Sequence, residues 1–461
     1  MALLSFLDRS RSVAGSGYNR WLVPPAALAI HLCIGQIYGY SVFNKPMSML
    51  LGVAKPVADD WSIPTLGWIF SIALFMLGAS AAVFGKWLER VGPRKAMFAS
   101  ALCFCGGFLI ASLGVYSHQL WLVYLGNGFV GGIGLGLGYI SPVSTLIKWF
   151  PDRPGMATGM AIMGFGGGAM LASPLSVLLM DHYKTAVSLG VWETFATMGL
   201  LYFCLMMFGV FSVRVPKEGW QPEGWVAPLA GTQKLVTSAN VDADTAIKTP
   251  QFYLLFGILM LNVTAGIGVL GQASLMIQEM FSESVVGKGA AVTAAAAGGF
   301  VGLLSLFNMA GRFFWSSMSD KLGRKMTYFI FFALGTVLYF LVPTSGKSHS
   351  IVLFVALFCV ILSMYGGGFA TIPAYLRDLF GTMQVGAIHG RLLLAWSAAA
   401  ILGPLLVNYI REYQIKTMGV PAAEAYSTTM YIMAGLLVVG FLLNWFVSPV
   451  DSKFDYKGLK Q

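Results

Sequence analysis

Gly85-Lys86-Trp87-Leu88-Glu89-Arg90-Val91-Gly92-Pro93-Arg94-Lys95 and Ser316-Ser317-Met318-Ser319-Asp320-Lys321-Leu322-Gly323-Arg324-Lys325 are two versions of one pattern. Each sets an acid at the end of an apolar run, turns at a glycine and adds two basic residues before the next run. One lies between the second and third apolar runs of the chain, the other between the eighth and ninth. A loop that recurs at equivalent places is the internal repeat expected of a duplicated membrane unit.

The rest of the chain agrees. Of 461 residues, 57% are hydrophobic and only 10% charged, against about 25% charged in an ordinary soluble domain. A water-soluble enzyme of this size could not cover its surface with so few ionic groups. Apolar runs fall at about 21–43, 64–87, 96–116, 120–147, 155–180 and 190–213. A second set falls at about 252–275, 290–315, 326–343, 351–375, 389–410 and 428–447. Each is long enough to cross a bilayer at about 20 residues per span. The reading is an all-α membrane protein of twelve transmembrane helices. It has two six-helix halves, 1–213 and 251–461, joined by a polar linker at 214–250. The 55 glycines suit close helix packing. The runs Gly131–Gly138 and Gly164–Gly168 are therefore read as packing surfaces and not as phosphate loops.

The net charge of +10 does not point to nucleic acid, because the basic residues punctuate the apolar spans. With the N-terminus inside, twenty lysines and arginines fall on the cytoplasmic side and seven outside. By the positive-inside rule both termini are cytoplasmic. The five cysteines all lie in apolar stretches and read as buried small hydrophobes. No metal-ligand spacing appears, and no cofactor is expected.

Both loops resemble the signature of the major facilitator superfamily, G-x-x-x-D-R-x-G-R-R, with Glu89 for the usual Asp and Ser316 for the first Gly. The resemblance implies the twelve-helix fold. It also implies that Glu89, Arg90, Arg94, Asp320, Lys321 and Arg324 pair across helix ends to hold the cytoplasmic side closed. Further stretches resemble the oxalate:formate antiporter family and its monocarboxylate-transporter relatives. They are Gly35-Gln-Ile-Tyr38-Gly-Tyr40-Ser-Val-Phe43-Asn-Lys45, Trp149-Phe-Pro-Asp-Arg153-Pro-Gly155, Lys248-Thr-Pro-Gln-Phe252, Asn262-Val-Thr264-Ala-Gly266, Gly311-Arg312-Phe-Phe-Trp315 and Ile388-His389-Gly390-Arg391. Asn127 stands where proton antiporters of the superfamily carry an arginine on helix 4, which argues against a drug:proton antiporter.

Arg312 is the most informative residue. An arginine at bilayer depth costs at least about 2.5 kcal/mol unless it faces protein or water, and its planar fork matches a carboxylate. It lies about 12 Å along the helix from Asp320, with Asn308 on the same face. The resemblance makes it the carboxylate-binding arginine. Gln36, Tyr38 and Tyr40 on helix 1, Tyr365 on helix 10 and Trp396 on helix 11 are candidate cavity residues, each also readable as a packing side chain. By the family alignment Trp396 replaces a lysine of the oxalate carrier. His31 is open between a packed histidine and a proton carrier, and Lys45 between an outer-mouth cation and an interfacial lysine. Asn262, Thr264 and Gln272 are cavity polars or interhelical partners. His389 and Arg391 are read as gate residues near the cytoplasmic mouth of helix 11.

These readings make the chain a secondary transporter and not an enzyme, since no nucleophile–base pair or metal set lies in the membrane. The expected substrate is a small monocarboxylate such as lactate, pyruvate or formate. It would cross a bacterial inner membrane by alternating access through a monomer in lipid, with a co-transported proton or an exchanged anion. Two alternatives stand beside this: an oxalate:formate-type antiporter, and a transporter-like sensor, for which the tails and linker are small.

Overall fold

The computed structural model describes residues 2–457 except 54, 226–234, 238 and 288, and only the backbone of 2–4, 294 and 295. Lys234, Lys288 and Lys460, counted above for orientation, lie outside the described residues. Twelve helices are long and apolar enough to span a membrane. They are α1 (Arg20–Met47), α2 (Ile63–Val91), α3 (Pro93–Tyr116), α4 (Leu120–Trp149), α5 (Pro154–Tyr183) and α6 (Val191–Ser212), then α7 (Pro250–Met280), α8 (Ala296–Leu322), α9 (Arg324–Lys347), α10 (Ile351–Phe380), α11 (Val385–Lys416) and α12 (Ser427–Phe446). Large apolar side chains such as Trp68, Val83, Leu178 and Val352 remain exposed around the bundle. Such a surface would be costly in water and is the natural one for lipid.

Local chemistry sets the helix ends. Ser62 accepts a hydrogen bond from Thr65 N ahead of α2, Thr249 from Phe252 N at α7, and Thr293 from Ala296 N at α8. The two signature loops are geometric copies. Gly92 ends α2 with φ +85°, and Gly323 ends α8 with φ +84°. A side chain at either position would be strained in this left-handed region. Several spans run past their expected ends, because the signature residues are themselves helical: α8 continues to Leu322.

Three spans are irregular. α1 passes from α-helix at Val23–Ile34 into a tighter 3-10 helix at Gly35–Phe43. α4 opens with a wider turn at Tyr124–Val130 that holds Asn127. α11 breaks at Leu393 between Val385–Leu392 and Leu394–Lys416. Such local departures are common where a helix hinges or carries a site.

The described residues near both chain ends and of the linker lie with the signature loops at one end of the bundle, called here the linker face. There the first six helices meet the last six through backbone-level contacts. A Cβ on Gly390 would stand 2.1 Å from Ala81 O, one on Gly85 2.7 Å from Ala387 Cα, and one on Gly159 2.1 Å from Ser316 Oγ. Deeper in the bundle Ser397 Oγ donates to Leu74 O at 3.2 Å, and nearer the linker face Thr158 Oγ1 donates to Ala370 O at 2.6 Å. The glycine runs do pack: Gly134 faces Phe104, Gly136 faces Ser80 and Gly138 faces Ser100.

If the seam depends on the missing side chain, Gly390→Val should cost about 1–3 kcal/mol by overpacking. Gly435→Val, where a Cβ meets nothing within 4 Å, should be neutral. Thermal unfolding of both variants in detergent checks this.

Candidate functional site

Arg312 lies midway along α8 and is wholly buried. Its Nε donates to Asn308 Oδ1 at 3.1 Å, one turn earlier, and its Nη1 to Ile162 O of α5 at 3.5 Å. Nη2 has no hydrogen-bond partner. Among the described residues neither of its partners is a carboxylate. Its guanidinium carbon stands 5.7 Å from the Phe165 ring centroid and 5.3 Å from that of Phe369, so two π faces partly compensate the charge. Gly166 lets α5 lie against it, since a Cβ there would come 3.0 Å from Nε. Gly366 does the same for α10, where a Cβ would stand 2.5 Å from Asn308 Oδ1.

Around this cation the structure gathers aromatic side chains from both sets of helices. Tyr38 of α1 and Tyr365 of α10 bring their hydroxyls to 3.4 Å of each other. Trp396 of α11 is buried, 4.5 Å from the Phe369 ring, 5.5 Å from Phe165, 5.4 Å from Tyr139 and 6.4 Å from Tyr38. Tyr139 of α4 packs against both Phe165 and the indole, 5.4 Å from each, and it was not among the expected residues. Its hydroxyl, the Trp396 indole N–H and Arg312 Nη2 are buried and make no well-aligned hydrogen bond, although the Tyr38 and Tyr139 hydroxyls both lie within reach of the Arg312 guanidinium. Two of these are obligate donors and the third is a hydroxyl free to donate. The only sequence signal for Tyr139 was a polar aromatic closing the glycine run, while Phe165 and Phe369 carried none.

Other expected site residues fall elsewhere. Of the two roles left open for Tyr40 the structure shows packing: its hydroxyl accepts from Asn127 Nδ2 at 3.0 Å, and its ring packs on Phe43 and Phe195 within the first six helices. In this 3-10 stretch residues two apart are turned by about 120°, and here Tyr40 is turned into the first six helices while Tyr38 faces Tyr365. Gln36 is buried, and among the described residues no hydrogen bond joins it to Arg312 or to either tyrosine. His31 sits 3.2 Å from Tyr139 O with its ring against the Tyr139 ring. Thr264 bonds its own helix at Met260 O. Asn262 is buried against Gly368, Gln272 is half-buried, and Lys45 is exposed at the far end of α1.

At the linker face each signature acid reaches across to a helix start of the other set. Glu89 takes Lys148 Nζ at 2.8 Å and Gly386 N of α11 at 3.1 Å. Asp320 takes Gly155 N and Met156 N of α5, both at 2.8 Å. Carboxylates suit the positive ends of helices. Arg324 pairs with Asp320 at 2.6 Å and with Asp378 at 3.1 Å. The expected pairing fails in the first loop. Arg94 donates to three backbone carbonyls, Phe6 O, Arg11 O and Val213 O, at 3.0, 3.2 and 3.1 Å. Arg90 and Lys321 are exposed, and among the described residues neither makes a hydrogen bond that closes the seam. His389 is fully buried in the last turn of the short Val385–Leu392 piece of α11, its ring 5.9 Å from that of Tyr139.

Arg391 instead joins the linker. Asp244, on the short helix Ala243–Ala246, bonds Arg391 Nη2 at 2.6 Å and also Lys86 Nζ of α2. One linker carboxylate thus clamps α2 to α11. Those two cations hold its pKa down to about 2, from 3.8.

The sequence pattern of the Major Facilitator Superfamily matches residues 34–310 and 281–458. The chain belongs to that superfamily and is a transporter, not an enzyme. It is 26% identical over 440 residues to the oxalate:formate antiporter of Oxalobacter formigenes, covering 94% of this chain and 92% of that one. It is 23% identical over 415 residues to apicoplast pyruvate carrier 1 of Toxoplasma gondii, covering 79% and 72%. Its fold matches that of the transporter FucP in the outward conformation with a TM-score of 0.65 at 11% identity, over 94% of this chain and 100% of that one.

A carboxylate depressed to about 2 stays charged, and keeps its clamp, until the pH falls through that value. Lowering the pH from about 8 to about 5 should therefore leave the seam closed. Asp244→Asn should open it, read as faster thiol labelling of Ser144→Cys, a position buried at the seam.

Proposed function

We propose that this protein is a secondary transporter of a small organic anion, moved by alternating access between the bodies 1–213 and 251–461. The observation that carries the reading is the buried Arg312, whose hydrogen-bond partners are neutral groups and not a carboxylate, beside a buried indole N–H that has no acceptor. A buried charge without a counter-ion is strongly destabilising, and hydrogen-bond donors without acceptors add to that cost. A carboxylate supplies the missing charge and the missing acceptors together. The two named relatives carry small carboxylates, which supports the same class.

The cargo we propose is a monocarboxylate of the lactate, pyruvate or formate type. A dianion would leave its second carboxylate facing Trp396, apolar over most of its surface, at a cost of several kcal/mol. That indole is instead a wall for a methyl group or hydrogen. The residue beside Arg312 is Asn308, an amide and not an acid, so proton relay through a carboxylate has no group there. This favours exchange of one anion for another. The linker face is read as cytoplasmic in a bacterial inner membrane, with both termini inside, and the monomer as the working unit. The positive-inside count supports that orientation.

Uptake of labelled pyruvate, lactate, formate and oxalate into proteoliposomes tests the proposal. Arg312→Lys keeps the charge but not the planar fork, and should cut uptake about tenfold or more. Near-normal uptake by that variant would remove the anchor assignment. Trp396→Lys restores a second cation and should shift the competition toward oxalate. If oxalate already outcompetes lactate and pyruvate in the unaltered protein, the one-cation argument fails.

A further inference from the structure

His389 stands two turns of α11 nearer the linker face than Trp396. The two lie on either side of the break at Leu393 and are related through Tyr139, against which both rings pack. The Tyr139 ring sits between them, 5.4 Å from the indole and 5.9 Å from the imidazole. Three residues closer still to the linker face is Gly386, whose N–H is held by Glu89. His389 therefore lies between the Arg312 cluster and the gate.

Its surroundings do not explain it. The side chain is 1% exposed, and neither ring nitrogen has a hydrogen-bond partner. Burying a polar group without a partner is destabilising, and a leucine would fill similar space without that cost. The neighbouring face of the same turns is committed to α2, through Gly390 against Ala81 O and Ala387 against Gly85. Those contacts must break if the linker face opens. Beyond the seam lies a cavity of about 940 Å³ whose walls include Ser144, Lys148 and Arg377.

Resting on the small-anion reading above, we infer that His389 is the release-side contact of the transported carboxylate. As α11 parts from α2, the anion leaves Arg312 and is received by the imidazole before it enters the cavity at the seam. A neutral imidazole carries one N–H donor, so it can receive a carboxylate without first gaining a proton. Tyr139 travels with the first six helices, while Arg312, Trp396 and His389 travel with the last six. Opening therefore withdraws the phenol from the anchor and uncovers the imidazole in one movement.

Two variants test this at one fixed pH, with labelled pyruvate, lactate and formate as probes. In His389→Leu, equilibrium binding in detergent should stay within about twofold of the unaltered protein, while exchange in proteoliposomes falls about tenfold, the value of one hydrogen bond to a charged group. His389→Gln, which keeps a side-chain N–H, should recover most of that rate. Three results would overturn the assignment: full exchange by His389→Leu, equal loss of exchange in both variants with binding intact, or loss of binding in His389→Leu. If the unaltered protein binds none of the three acids, the small-anion reading falls and takes this inference with it, an outcome no His389 variant can mimic.

Discussion

A guanidinium buried without a carboxylate partner is the constraint around which this bundle is built. Removing such a charge from water costs several kcal/mol even after relaxation, so its neighbours are chosen for what they return. Asn308 and the Ile162 carbonyl accept two of its hydrogen bonds. The Phe165 and Phe369 rings offer their negative faces. Gly166 and Gly366 bring α5 and α10 close enough for this to happen. What these groups leave uncompensated, one N–H and most of the charge, is what a bound anion would complete.

The same economy governs the closed end. Glu89 and Asp320 each cap a helix that belongs to the other six-helix set, so the two acids act as paired ties across the seam. Closure is thus made of charge–dipole contacts over a glycine-lined surface, and neither is strong enough to be irreversible. The two signature loops are alike in backbone yet unlike in partners. Arg324 works within an acid–base network, whereas Arg94 is anchored by main-chain oxygens. The linker adds a third tie, Asp244, between Lys86 and Arg391.

Most of the architecture was legible because apolar runs and charge punctuation are strong signals in a membrane chain. Arg312 was legible for the same reason, as a lone cation in an apolar span. Tyr139, Phe165 and Phe369 were not. In helices that are apolar all round, an aromatic facing a cavity looks the same as one facing lipid. For Tyr40 the sequence left cavity and packing roles open, and only the fold shows its hydroxyl on Asn127 within the first six helices. Arg90, Lys321 and Asp244 share a different reason. Whether a charge at a helix end is solvated or clamped depends on what the fold brings opposite, and neither spacing nor composition reports that.

Arg94 carries one consequence for how such proteins are compared. Its three acceptors are main-chain carbonyls of residues 6, 11 and 213, and every amino acid supplies a carbonyl. The side chains at those positions are free to drift without loosening the lock. Correlated substitutions would never mark the contact, and an arginine fixed in three dimensions would look, in any alignment, like one without a partner.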